Sequence, residues 1–199
     1  LKIAFRDRNG LLGDPRFVDV PLGRLLAAQY VQSLAEAIDL NRASFYSGPH
    51  AAGDTTSFVI VDGEGRGVSF IHSNSIPFGS GMIIPGTGIL LNNRAGRSFT
   101  LAEGHPNCIA PGKRPMHTLN TYIVTKEDKL WLLGNTPGGD GQVQWNLQVL
   151  SCLIDHNYNP RQAAGAPRCQ VFPGTDPADL KKPPVLFLEE GFSRETGDS

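Results

Sequence analysis

The sequence predicts an α+β domain built on antiparallel strands, and three observations carry that expectation. Residues 55–61 (TTSFVIV) and 67–73 (GVSFIHS) are β-branched and aromatic segments joined by "DGEGR", a hairpin signal. A second hairpin pattern joins 119–125 (LNTYIVT) to 129–135 (KLWLLGN) around "KED". The strands are then followed by helical periodicity in 141–155 (GQVQWNLQVLSCLID), with Val143, Leu147, Leu150 and Ile154 on one face. Hairpins followed by helices indicate an antiparallel sheet with helices packed on it. At 199 residues the chain is long enough for one domain with a core.

Taken in order, residues 1–20 are rich in Arg, Asp and Gly and read as loop. From Pro21, "PLGRLLAAQYVQSLAEAI" places Leu25, Tyr30, Leu34 and Ile38 near helical spacing, with Pro at the first turn. Residues 39–54 (DLNRASFYSGPHAAGD) form a Ser/Gly/Ala/Pro linker. A further strand is expected at 87–92 (TGILLN), and a short helix at 160–165 (PRQAAG). No internal repeat is visible.

A formal net charge of −1 and 19% charged residues argue against a nucleic-acid footprint and against a polybasic membrane patch. No stretch approaches the roughly 18 apolar residues of a membrane span. Cys108, Cys152 and Cys169 are widely spaced and odd in number, and read as reduced core residues rather than a disulfide or metal framework. The chain starts at Leu1 without a methionine and ends in "RETGDS" soon after "PPVLFLEE". Both ends read as cuts through a longer protein, so a missing targeting segment leaves the compartment open, with a slight lean to the cytoplasm over the periplasm or secretion.

The stretch "GDTT" at 53–56 raises the chemical question. A hydroxyl is a poor nucleophile until a base sits beside it. The five histidines offer no elbow or triad signature. The other solution is an N-terminal threonine whose own amine, with a pKa of about 7.7–8.0, serves as base. Thr55 has that amine only if the Asp54–Thr55 bond is broken, and Gly53 gives the backbone the freedom for Thr55 Oγ1 to reach the Asp54 carbonyl. The plain alternative is a turn feeding a strand. In "NTPGGDG" (135–141), Gly138 and Gly139 open a helix, where paired N–H groups make an oxyanion-hole candidate or, more plainly, a cap.

With "SNSIPFGSG" (73–81), "GTGILLNN" (86–93) and "APGKRPMHT" (110–118), these segments resemble in order the catalytic subunit of the gamma-glutamyltranspeptidase family of N-terminal-nucleophile hydrolases. The resemblance runs from Asp54 to the "APR" ending at Arg168. It implies an αββα sandwich and a proenzyme that cuts itself in two. Residues 1–54 would be the tail of the large subunit and 55–199 the small catalytic subunit, both parts of one domain. The implied partners are that large subunit and a small-molecule amide, with a homo-oligomer left open and no cofactor or metal required.

By the same resemblance, Thr55 matches the nucleophile, Ser73 a supporting threonine, and Gly138 and Gly139 the oxyanion pair. Thr118 falls on the second of two carboxylate-binding serines, and His117 replaces the first. Ser75, with Asn74 adjacent, stands where the family has an amine-binding asparagine. Arg94 replaces a glutamine, and Gly96, Arg97 and Ser98 precede Phe99 where the family has an acidic pair. An arginine there repels an ammonium and favours a carboxylate. The expectation is an amidase for an anionic acyl group lacking the α-amine, on the cephalosporin acylase and oxamate amidohydrolase side of the family. A γ-glutamyl hydrolase or transferase with a rearranged pocket, and an unprocessed binding subunit, stay open as alternatives.

His72 precedes Ser73 on a strand and is expected to face the opposite side. His50, His105 and His156 lack metal-site spacing. Asp140 reads as a helix cap, and Trp131 and Trp145 as core.

Overall fold

In the computed structural model, which describes residues 2–39, 55–172, 174 and 183–192, the chain divides into two units. The first comprises Leu1–Pro49, Arg94–His117 and Phe172–Val185, and the second the remainder. Asp54, His50 and all of the expected linker except Asp39 lie outside the described residues.

The first unit is mainly helical. The expected N-terminal loop is instead helix α1 (Lys2–Leu11), which seats Phe5 among the buried apolar side chains. The charged composition hid one apolar anchor, and burial of that anchor outweighs weak local propensity. The single helix expected from Pro21 splits into α2 (Leu22–Leu25) and α3 (Ala28–Glu36), with Ala27 in extended conformation between them. The five-residue step from Leu25 to Tyr30 breaks the three-and-four rhythm that one continuous face requires. Helix α4 (Arg94–Ser98) is a short turn with Ser98 buried.

Asp14 is the polar centre of this unit. Its buried carboxylate accepts hydrogen bonds from the Arg16 guanidinium (2.7 Å) and from the Arg114 backbone N–H (2.9 Å) and guanidinium (3.2 Å). The Arg16 side chain first, then Arg114, holds this carboxyl far below the usual carboxylate range. Nearby, Asn107 Nδ2 donates to Leu12 O at 2.8 Å, and Gly13 sits so close to the Pro106 carbonyl that no Cβ fits. Segments about a hundred residues apart in sequence are thereby fastened through satisfied backbone groups.

The second unit carries both expected hairpins. Strand β1 (Thr55–Val61) pairs antiparallel with β2 (Gly67–Ser73) in unbroken register from Thr55↔Ser73 to Val61↔Gly67. Asp62 closes the turn, accepting from the N–H groups of Glu64 and Arg66 at 2.9 Å each. Strands β3 (Thr121–Lys126) and β4 (Lys129–Asn135) form the second hairpin, with Glu127 and Asp128 both at positive φ (53° and 58°), the type I′ geometry that matches strand twist. Residues 87–92 make no strand. Gly86 and Gly88 adopt left-handed φ, and only an isolated bridge, Ile83↔Leu90, survives.

Along β1 and β2 the inner face carries Thr55, Ser57, Ser69, Ile71 and Ser73, while Phe58, Ile60, Val68 and Phe70 on the other face are exposed. His72 is exposed on that outer side, opposite Ser73 as its strand position required. Trp131, expected in the core, is exposed as well.

Helix α5 (Gly141–Ile154) forms where expected but buries a different face. Gln142, Gln144 and Asn146 are buried, whereas Leu147 and Ile154 are exposed. The reason is hydrogen bonding. Gln144 accepts from Val171 N–H (2.8 Å) and donates to Val171 O (3.0 Å), and Gln148 does the same with Cys169 (2.9 and 2.8 Å). These side-chain amides act as a strand edge for β5 (Cys169–Phe172), which pairs with β6 (Val185–Leu188) in a third two-stranded sheet. Helix α6 (Pro160–Gly165) spans its expected residues, opened by a reciprocal capping box between Asn159 and Gln162.

Candidate active site

The β1–β2 register sets two hydroxyls side by side. Thr55 opens β1, Ser73 closes β2, and their oxygens lie 2.9 Å apart. The backbone N–H of Ser75 donates to Ser73 Oγ at 3.0 Å. Ser75 reaches back because its φ is +77°, an uncommon geometry for a non-glycine residue. Ser75 is itself buried, and its hydroxyl has no partner among the described residues. Asn74, between them, is half-buried, and its carbonyl accepts the Asn93 N–H at 2.9 Å. A hydroxyl has one proton and two lone pairs, so with Ser75 on one lone pair Ser73 still exchanges a hydrogen bond with Thr55 in either direction.

Gly138 and Gly139 stand at the start of α5 with φ of +128° and +54°. Their carbonyls accept from Gly141 N–H (2.9 Å) and Gln142 N–H (3.2 Å), while their own N–H groups have no partner among the described residues. The indole of Trp145 lies where a Cβ on Gly138 or Gly141 would sit, so the turn is closed to larger residues. Asp140 takes the N-cap position but its side chain makes no capping bond, contrary to expectation; its carbonyl instead accepts from Gln144 Nε2 at 3.2 Å. With αR backbone angles, Asp140 lacks the extended geometry that aims a capping carboxylate at the first turn.

The same unit holds Thr118, which is buried. Thr55, Ser73, Asn74, Ser75, Thr118, Gly138 and Gly139 therefore share one unit, whereas Arg94, Arg97 and His117 belong to the other. There, Arg94 donates to Ser98 Oγ at 3.1 Å and Arg8 donates to the His117 carbonyl at 3.1 Å. Partial burial, then the positive charges of Arg94 and Arg8, hold the His117 imidazole below the usual histidine pKa. It is thus a neutral ring in a cationic neighbourhood at pH 7. A cleft of about 430 Å³ in that unit is lined by Arg8, Leu12, Asp14, Arg114, Met116 and His117 among others.

Asn135, Trp145 and Arg8 were not singled out from sequence for this site. Asn135 and Trp145 flank "PGG" in the chain, and that nearness was the available signal. Arg8 carried none, because it lies in a segment expected to be loop. Among the described residues no group of His, Cys, Asp and Glu side chains is arranged to hold a metal ion, and no helix is long and apolar enough to cross a membrane. The three cysteines are half-buried and free.

The sequence model described as Gamma-glutamyltranspeptidase matches residues 1–199. The chain is 41% identical over 168 residues to the glutathione hydrolase-like YwrD proenzyme of Bacillus subtilis (strain 168), covering 84% of this chain and 32% of that protein. It is 38% identical over 167 residues to the oxamate amidohydrolase proenzyme of Klebsiella pneumoniae subsp. pneumoniae, covering 84% and 31%. Among solved structures, cephalosporin acylase from Bacillus halodurans superposes with a TM-score of 0.82 at 33% identity, over 99% of this chain and 34% of that chain. The chain spans about a third of the length of the curated relatives it matches. Its fold is that of hydrolases and acylases made as proenzymes. The chain belongs to the gamma-glutamyltranspeptidase family.

Proposed function

We propose that this chain carries the catalytic part of a self-processing amidohydrolase whose nucleophile is an N-terminal threonine, Thr55. The observation that carries the reading is the 2.9 Å contact between Thr55 Oγ1 and Ser73 Oγ at the first position of a strand, directly after Asp54. In the precursor, Thr55 Oγ1 attacks the Asp54 carbonyl carbon and the amide becomes an ester. Water then hydrolyses that ester, leaving a carboxylate on Asp54 and a free amine on Thr55. In turnover the amine takes the Thr55 hydroxyl proton as Oγ1 attacks the substrate amide, and returns it to the departing amine. The N–H groups of Gly138 and Gly139 hold the tetrahedral oxyanion. Water releases the acyl group from Thr55, and an amine in place of water gives transfer.

The substrate in this reading is an amide of an anionic acyl group that lacks an α-amine. By the family resemblance, Arg94 replaces a glutamine and Arg97 lies in the segment before Phe99 where an acidic pair would stand, so an ammonium loses its partners and a carboxylate gains cations. Asn74, Ser75 and Thr118 complete the contacts to the acyl group. The oxamate amidohydrolase and the acylase among the relatives are in keeping with this choice. A γ-glutamyl donor is the second reading, favoured by the relative described as glutathione hydrolase-like.

Residues 1–54 then form the tail of a large subunit and residues 55–199 the small subunit of one precursor. The exposed apolar face of β1–β2 (Phe58, Ile60, Val68, Phe70) is the surface an αββα sandwich would bury.

The deciding experiment is the intact mass of the full-length protein beside its Thr55→Ala variant. Two fragments in the first, the smaller beginning at Thr55, and one uncut chain in the second support both self-processing and the nucleophile. One uncut, folded chain in both overturns the reading and favours a binding subunit. Turnover of oxamate and glutaryl-p-nitroanilide against glutathione then decides the acyl group.

A further inference from the structure

The nucleophile hairpin and the glycine turn have to keep a fixed separation, because an attack geometry that slips by about 1 Å costs on the order of a hundredfold in rate. One side chain spans the two. Asn135 ends β4, three residues before Gly138, and its Nδ2 donates to Phe58 O (3.0 Å) on β1, to Ser69 Oγ (2.9 Å) on β2, and at 3.3 Å to Phe70 O. Phe58 and Phe70 are register partners with stacked rings, so Asn135 grips both strands of the hairpin at one level. Ser69 Oγ returns a bond to Gly134 O at 2.8 Å and closes the link. Between Asn135 and Gly138 lie only Thr136 and Pro137, and the proline ring limits how far the glycine turn drifts from its anchor.

From this bridge we infer that Asn135 is a positioning residue that sets the spacing between Thr55 and the oxyanion glycines. The inference rests on the reading of Thr55 as nucleophile and of Gly138 and Gly139 as oxyanion donors. Asn135 touches no reacting atom; it acts through the two backbones it joins. Self-cleavage engages Thr55, Ser73 and the Asp54–Thr55 bond, which lie on or beside one hairpin. Turnover also needs the glycine turn in step with that hairpin. The two activities should therefore respond differently to loss of the bridge.

The test uses the full-length proenzyme with Asn135→Ala and Asn135→Asp. The second is isosteric, but turns the donor into an acceptor facing three oxygens. Self-cleavage of Asn135→Ala is expected within about threefold of wild type, while kcat for the best of oxamate, glutaryl-p-nitroanilide and glutathione falls about 10- to 100-fold with KM nearly unchanged. Asn135→Asp is expected to fall at least as far. Wild-type kcat in both variants overturns the inference, and so does an equal loss of self-cleavage and turnover, which marks a merely structural role. Should Asn135→Ala fail to fold, Ser69→Ala keeps the bonds to Phe58 and Phe70 and carries the same test with a smaller loss of kcat; no loss there counts against the inference. A wild-type protein that neither cuts itself nor turns over any donor defeats the underlying reading, and this inference with it. A wild type that does both beside unaffected variants defeats the inference alone.

Discussion

Thr55 and Ser73 are the terminal register pair of the β1–β2 hairpin, and their hydroxyl oxygens lie 2.9 Å apart, with the Ser75 N–H donating to Ser73 Oγ. The pair needs no loop to bring it together, since antiparallel pairing places residues 18 apart in sequence opposite each other. With one lone pair of Ser73 engaged by Ser75, the hydroxyl still shares a hydrogen bond with Thr55. Ser73→Ala should therefore leave the hairpin intact and slow both self-cleavage and turnover by about 10- to 100-fold, the equivalent of a hydrogen bond of roughly 1.5–3 kcal/mol. Ser73→Thr, which keeps the hydroxyl, should recover most of the rate. Timed mass spectrometry of the precursor and steady-state kinetics read the two steps separately.

Gly138 has φ of +128° and faces the Trp145 indole where a Cβ would be. Gly138→Ala is expected to displace the turn and cost turnover about 10²- to 10³-fold, the loss associated with one oxyanion donor. Retention of wild-type kcat in a folded Gly138→Ala protein would remove this turn from the mechanism.

The proposed acyl preference is tested at Arg94. Arg94→Gln removes the charge that opposes an ammonium, so the ratio of kcat/KM for glutathione over glutaryl-p-nitroanilide should rise, by about tenfold for a repulsion near 1.4 kcal/mol. An unchanged ratio would show that Arg94 does not face the acyl group.

Gln144 serves the fold. Gln144→Leu keeps the approximate shape but strands the N–H and C=O of Val171, at a cost of about 1–3 kcal/mol for each buried group left unpaired. Denaturant unfolding of the full-length protein should show that loss, whereas Leu147→Gln, at an exposed position of the same helix, should change little if that face is open in the whole protein as well.

His117 links stability to pH. Its pKa is lowered in the folded protein, by partial burial first and then by Arg94 and Arg8, so the unfolded chain binds the proton more readily. Its contribution is present in full above the ordinary histidine pKa of about 6.5 and is lost as pH falls from there through the lowered value. His117→Asn should flatten the stability profile on the acid side of that point, measured as melting temperature against pH.

What the sequence determined by itself is what neighbouring residues decide. Asp62 and Gly65 close one hairpin, Glu127 and Asp128 close the other, and the Asn159–Gln162 box starts α6, each through contacts a few residues apart. The candidate nucleophile and glycine pair were legible for a related reason, as short stretches whose residue types the chemistry restricts. The tertiary structure alone decided which surfaces are buried and which residues meet. Period-3.6 patterning assigned α5 an apolar inner face, yet Gln142, Gln144 and Asn146 are buried because the backbones of Asn120 and Val171 need partners there. The charged start of the chain became helix α1 around Phe5, and Asp14 found Arg114 a hundred residues away. Asn135 looked like the end of a strand and proved to bridge two hairpins. Unsatisfied backbone groups on distant segments set these outcomes, and no local pattern records where those groups come to lie.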